Sequence, residues 1–297
     1  MAEQNQLQTQ QSNPQLAAIQ NALKGANKSI QAALKENAGT FNTSLMELIT
    51  SDPKLLACDP KKLMAEAIKA ASIKLPLNKQ LGYAYLVPYG TTPNMIIGYR
   101  GYVQLAMRTG QYRYINADIV YEGELTHKDK LTGAISLDGD KTSETVIGYF
   151  AHFELLNGCT KTLYMTLEEM ANYALTFSGT WAKKKANEKP SAQTLMDRAQ
   201  AQAQNGPEPG VGWYVNFNAM ARKTVLRRLL SQYGYLSIEM MQALASDEQP
   251  QYIQAEAIRN EENQAPKKVV NAAQMMQDAD ATEVDEQPSN ELEPSPI

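Results

Sequence analysis

The stretch NMIIGYRGYVQLAMRTGQYR, residues 94–113, changes its hydrophobic period partway along and constrains the fold more than any other segment. Its opening Met95-Ile96-Ile97 is a short apolar run suited to a strand. After the knot Tyr99-Arg100-Gly101-Tyr102 the apolar positions recur at helical spacing, so strand and helix must meet with almost no linker. On that helix Arg100, Gln104, Arg108 and Gln111 share one face at spacings of four, four and three. Tyr102, Val103, Ala106 and Met107 take the other face and are expected to meet a core. Two guanidinium groups and two amides on one stripe, flanked by Tyr99 and Tyr102 and followed by Arg113, suit a phosphate backbone with bases stacked nearby. A merely solvated helix face carries the same pattern.

The neighbouring segments read just as locally. Asp52-Pro53 and Asp59-Pro60 each set a capping acid before a proline at the first helical position. The second opens a helix from Pro60 to about Leu75 with Leu63, Ala67, Ala70 and Ala71 toward the core. Gly82 to Pro88 and Asn94 to Tyr99 form a hairpin around YGTTPN. Tyr112 to Glu122 and Val146 to Leu155 are strands, and Asn157-Gly158 is a two-residue hairpin turn returning through Thr160 to Met165. Thr166-Leu167-Glu168-Glu169 is a capping box opening a helix to about Phe177, and a long helix runs from about Trp213 to Tyr233, closed by Gly234.

The order of elements gives an α+β fold, an antiparallel hairpin and meander packed with helices, rather than a parallel nucleotide-binding sheet. Residues 1–28 are Gln/Asn-rich and expected to be disordered, residues 29–246 form one domain, and residues 247–297 are expected to be a disordered acidic tail. The segments around Trp181, Pro190 and Gly206 to Gly212 are expected to be mobile.

Net charge misleads in this chain. The whole carries −4, yet residues 247–297 hold twelve acids against three bases, which leaves residues 1–246 at +5. Residues 177–235 alone carry nine Lys/Arg against three Asp/Glu. The body therefore suits a polyanion although the sequence pI is near 5.4. No apolar run approaches the roughly 18 residues of a membrane span, and no signal peptide is read, so a soluble, intracellular, cytoplasmic protein is expected. Cys58 and Cys159 stand far apart without a CxxC, and His127 and His152 fit no metal-ligand spacing. There is no GxxxxGK[ST] loop and no G-x-S-x-G elbow, so neither a P-loop ATPase nor a hydrolase is read. No cofactor is expected, and magnesium enters only as an influence on DNA binding without a dedicated site.

Further candidate contacts lie in the second half. Asn216, Met220, Lys223 and Arg227 form one stripe on the last long helix, with Arg222 and Arg228 pointing elsewhere. Trp213 is either a core residue or a base-stacking one, with Tyr214 beside it. Lys183, Lys184 and Lys185 follow Trp181, read as exposed, and suit phosphates. Lys128 and Lys130 lie in a polar insertion interleaved with acids. Asp118, Glu122 and Glu124 keep open a second reading, a metal-dependent nuclease, and a passive strand protector is a third.

Two blocks also resemble a known family. Residues 82–113 contain GYAYLVPY followed by GYRGYVQLAMRTGQY, and residues 213–230 read WYVNFNAMARKTVLRRLL with a Met-x-Arg-Lys-Thr-x-Leu-Arg core. In this order they resemble the RecT family of phage single-strand annealing proteins, over residues 30–240. The resemblance implies ATP-independent annealing of single-stranded DNA, binding of the annealed duplex, and homo-oligomers as rings or helical filaments. It also implies partners such as a phage exonuclease and a host single-strand binding protein, reached through the acidic tail.

Overall fold

A computed structural model describes residues 13–179, 181, 184–206, 208 and 212–247. The chain enters through α1 (Pro14–Leu34), α2 (Ala38–Ser51), the single turn α3 (Pro53–Leu56) and α4 (Pro60–Ser72). Asp52 and Asp59 cap as their spacing predicts: Lys54 N–H donates to Asp52 Oδ1 at 3.0 Å and Lys62 N–H to Asp59 Oδ1 at 2.9 Å. Leu63, Ala67, Ala70 and Ala71 of α4 are all fully buried.

α1 corrects the expectation of disorder up to residue 28. Asn13 caps it, Pro14 supplies the first-turn proline, and Ile19, Ala26 and Ile30 bury a narrow stripe against α4. Three apolar positions suffice because a partner helix covers them; helical stability comes mostly from such packing. The first twelve residues of that expectation, and the tail beyond Asp247, lie outside the described residues.

Next comes the hairpin β1 (Ala84–Tyr89) and β2 (Thr92–Ile97), antiparallel, leading into α5 (Tyr99–Arg108) through Gly98 alone. Two glycines make that junction possible. A Cβ on Gly98 would lie 2.2 Å from Gly82 O, and one on Gly101 would lie 2.2 Å from Tyr83 O. The first turn of α5 thus lies directly on the backbone before β1, and Gly98 N–H donates to Tyr83 O at 2.9 Å.

A three-stranded antiparallel sheet follows, in the order β3 (Tyr112–Tyr121), β6 (Val146–Leu155), β7 (Thr160–Thr166). The excursion between β3 and β6 carries a small hairpin of β4 (His127–Lys128) and β5 (Ile135–Ser136). Asn157 Oδ1 accepts from Cys159 N–H, and Gly158 has φ +82, as the expected turn requires. The capping box is present in both directions at Thr166 and Glu169, and starts α6 (Leu167–Phe177).

The sheet's two edges differ. On β3, Ala117 O accepts from Arg222 Nε, Ile119 N–H donates to Asp118 Oδ1, and Tyr121 N–H donates to Glu124 Oε2. On β7 the outward backbone groups of Thr162 and Tyr164 meet no partner among the described residues.

α7 (Ala192–Asn205), a helix not read from the sequence, lies between the segments around Pro190 and Gly206 to Gly212 expected to be mobile. Ser191 caps it, Leu195 and Ala199 are fully buried, and Gln200 clamps both the N–H and the C=O of Val146. α8 (Phe217–Tyr233) lies on the sheet, and α9 (Ile238–Asp247) closes the described chain. Between α8 and the sheet a buried polar chain is paired: Tyr149 donates to Asn218 Oδ1 at 2.6 Å, and Asn218 Nδ2 to Ala199 O at 2.9 Å. The helices and antiparallel sheets together make the α+β fold read from the sequence.

Candidate nucleic-acid interface

The residues of the α5 stripe do not share one environment. Arg100 at the first turn is exposed, with no acid beside it among the described residues. Gln104 is half-buried. Arg108 is a strut: Nη1 donates to Ile73 O at 3.1 Å and Nη2 to Lys74 O at 3.0 Å. It ties the end of α5 to the end of α4, where backbone carbonyls are left over and a cation is favoured. Gln111 is exposed, beyond the helix. On the opposite face Tyr102 is fully buried, so it belongs to the core and not to a surface. Met107, expected inside, is half exposed instead.

Tyr99 turns out to be the contact of consequence. The guanidinium of Arg222 lies over its ring, 5.4 Å from the centroid, joining α5 to α8. Arg222 Nε donates to Ala117 O on β3 at 3.2 Å and lies 3.4 Å from Asp118 Oδ1. An aromatic ring and an oriented guanidinium therefore meet where α5, α8 and the edge of β3 come together, and exposed Arg100 follows Tyr99 on the first turn of α5. Arg113 and exposed Tyr114 continue along the same strand, with Arg113 paired to Glu154 at 2.6 Å. This junction offers two things a nucleic acid strand uses, guanidinium donors for phosphates and ring faces for bases. Arg222 escaped the sequence reading because it falls off the stripe. The signal for it was the Met-x-Arg-Lys-Thr block itself.

α8 corrects the rest of that stripe. Arg227 is 7% exposed, buried between Leu226 and Leu229 on a helix covered on most sides. Lys223 is half-buried, and Asn216 occupies the cap position before the first turn. Arg228 lies over the Tyr173 ring at 5.3 Å, facing α6. Neither tryptophan is a surface platform. Trp181 is 5% exposed, and Trp213 is 6% exposed with its ring packed edge-on against Phe217, centroids 5.3 Å apart. Tyr214 is exposed, beneath the guanidinium of Arg198 at 4.3 Å.

A second cationic group lies along the other edge of the sheet. Lys128 Nζ stands over the Tyr164 ring at 5.3 Å. Lys161 Nζ donates to Thr132 O at 3.2 Å and stands 5.1 Å from the Tyr233 centroid. Burial pushes the Tyr164 phenol up from its ordinary range, so the ring stays neutral beside its lysine. Lys130 is exposed in the same hairpin, and Lys184 and Lys185 are exposed between α6 and α7. Lys183 lies outside the described residues.

The acids read as a nuclease candidate are parted. Asp118 faces Arg222, Glu122 accepts from Ser143, and Glu124 accepts from Tyr121 N–H. Among the described residues no three His, Cys, Asp or Glu side chains gather as a metal site needs, and no helix is long and apolar enough to cross a membrane.

Comparison with known proteins gives the arrangement its context. The sequence profile of the RecT family matches residues 39–266. The uncharacterised protein YqaK of Bacillus subtilis (strain 168) is 36% identical over 223 residues, covering 75% of this chain and 68% of YqaK. Protein RecT of Escherichia coli (strain K12) is 27% identical over 211 residues, 66% of each chain. The matched region takes in the β1–β2 hairpin, α5, the sheet and α8, the elements that build the junction. The chain belongs to the RecT family of DNA-binding proteins, which anneal single strands in recombination.

Proposed function

We propose that this chain is an ATP-independent annealer of single-stranded DNA that holds a strand by its backbone at the junction of α5, α8 and β3. The observation that carries the reading is the Arg222 guanidinium over the Tyr99 ring, with exposed Arg100 on the same first turn of α5. Guanidinium groups on the phosphates leave the Watson–Crick edges of the bases turned outward. An incoming complementary strand then supplies the sequence specificity, while the cations offset the repulsion between two polyanions. A body of +5 neutralises few phosphates, so firm binding calls for neighbouring copies along the strand, in a ring or a helical filament. Lys128, Lys130, Lys184 and Lys185 extend the cationic surface for the second strand or the annealed duplex. The acidic residues 247–297 serve as the docking segment for an exonuclease or a single-strand binding protein, and no metal is assigned a dedicated site.

The test is the pairing rate of two complementary labelled oligonucleotides without ATP, with the full chain and with Arg100→Ala. The protein is expected to accelerate pairing. Arg100→Ala should weaken strand binding regardless of sequence and lower its salt dependence by about one phosphate contact. Slowed pairing with tight binding would make the protein a strand protector and end this reading.

A further inference from the structure

The cations of the candidate interface divide into two kinds. Arg100, Lys128, Lys130, Lys184 and Lys185 have no acid against them among the described residues, whereas Arg222 and Arg113 each carry a carboxylate partner. For Arg222 that partner is not needed to hold the side chain. Its Nε already has Ala117 O at 3.2 Å and its plane has the Tyr99 ring. The Asp118 contact is longer, 3.4 Å against the roughly 2.8 Å of a good charged hydrogen bond. Asp118 is 53% exposed, so the pair adds little to the fold. What it does change is the charge at the arginine that lies over Tyr99 at this junction, where a phosphate would sit.

We propose that Asp118 is an affinity-limiting residue of the strand-binding site: it offsets the charge of Arg222 and repels an arriving phosphate, so that each subunit holds DNA loosely enough to let go of a wrongly paired strand. The proposal rests on the placement of the strand at the α5–α8–β3 junction given above. Its physical content is simple. A half-exposed carboxylate this close to Arg222 is well inside the Debye length at physiological salt, about 8 Å, so its repulsion reaches a phosphate on the same guanidinium. Removing that charge strengthens phosphate binding without altering any contact to a base. Pairing then loses the loose grip that sorts matched strands from mismatched ones.

The experiment compares the full chain with Asp118→Asn, Arg222→Ala and the double variant, measuring affinity for a poly-dT oligonucleotide across a salt series. Asparagine keeps an oxygen for Ile119 N–H, so the edge of β3 is retained. Asp118→Asn is expected to bind about two- to fivefold tighter at low salt, the gain fading toward 1 M salt where the Debye length is about 3 Å. In the Arg222→Ala background the same change should gain clearly less, because no guanidinium then brings the phosphate against residue 118. Annealing of mismatched oligonucleotides should rise relative to matched ones. Unchanged or weaker binding by Asp118→Asn overturns the proposal, while a loss in Arg222→Ala still supports the junction as the strand site. Unchanged binding by Arg222→Ala removes the junction itself, and the proposal with it.

Discussion

Adding one methyl group at two different glycines should move stability in opposite directions. In Gly101→Ala the new Cβ would lie 2.2 Å from Tyr83 O and 2.8 Å from Ile97 Cγ2, where ordinary contacts begin near 3.4 Å. Relief needs a displacement of about 1 Å, and the obstacle is a backbone carbonyl that also accepts from Gly98 N–H. Overpacking of this kind costs about 1–3 kcal/mol and the strained hydrogen bond about 1 more, against about 0.5–1 kcal/mol gained in helix propensity. The net is a loss of about 1–3.5 kcal/mol, or a Tm lower by about 2–14 °C for a domain of this size. In Gly25→Ala, in the interior of α1, nothing lies within 4 Å of the new atom, so only the propensity gain remains. That should raise stability by about 0.5–1 kcal/mol. Urea and thermal unfolding followed by circular dichroism measure both. A loss under 1 kcal/mol for Gly101→Ala would refute the close junction of α5 with the β1 hairpin, and a destabilised Gly25→Ala would refute α1.

Two further substitutions test burial. Trp213→Ala should cost about 3–5 kcal/mol of stability, while strand affinity of the protein that remains folded stays unchanged, because the ring packs on Phe217 inside the core. Equal stability with weakened binding, read by denaturation and by fluorescence anisotropy, would return Trp213 to the surface. Tyr112, whose OH donates to Tyr235 O, has its phenol pushed up to about 12, chiefly by burial. The folded state thus keeps a proton that the unfolded chain releases near pH 10, so this contribution is complete below pH 10 and lost as pH rises to about 12. Tyr112→Phe should flatten that alkaline decline in a pH series of melting temperatures; an unchanged slope would place the loss elsewhere.

What the sequence made legible were features decided within a few residues. The caps at Asp52 and Asp59, the Asn157-Gly158 turn and the Thr166/Glu169 box each need only local geometry, and each is present. α1 and α7 were missed because their Gln-, Asn- and Ala-rich composition hides sparse apolar positions that bury only when a partner helix or strand arrives. The site was legible as a pair of blocks and not as a set of side chains. Periodicity finds a polar stripe, but it does not say whether that stripe meets water. On α8 the stripe carrying Arg227 turns inward because neighbours cover most of the helix, and on α5 Arg108 reaches back to α4. Arg222 became visible only once β3 was in place to receive it.

The sealed edge of β3 and the open edge of β7 give the sheet a direction of growth. Among the described residues the ladder groups of Thr162 and Tyr164 are left to an arriving strand, while on the far side Arg222, Asp118 and Glu124 already engage Ala117 O, Ile119 N–H and Tyr121 N–H. Copies of this protein therefore cannot zip their sheets together edge to edge into an endless ribbon, since every such ribbon requires two receptive margins. Side chains at the α5–α8–β3 junction thus also guard against aggregation.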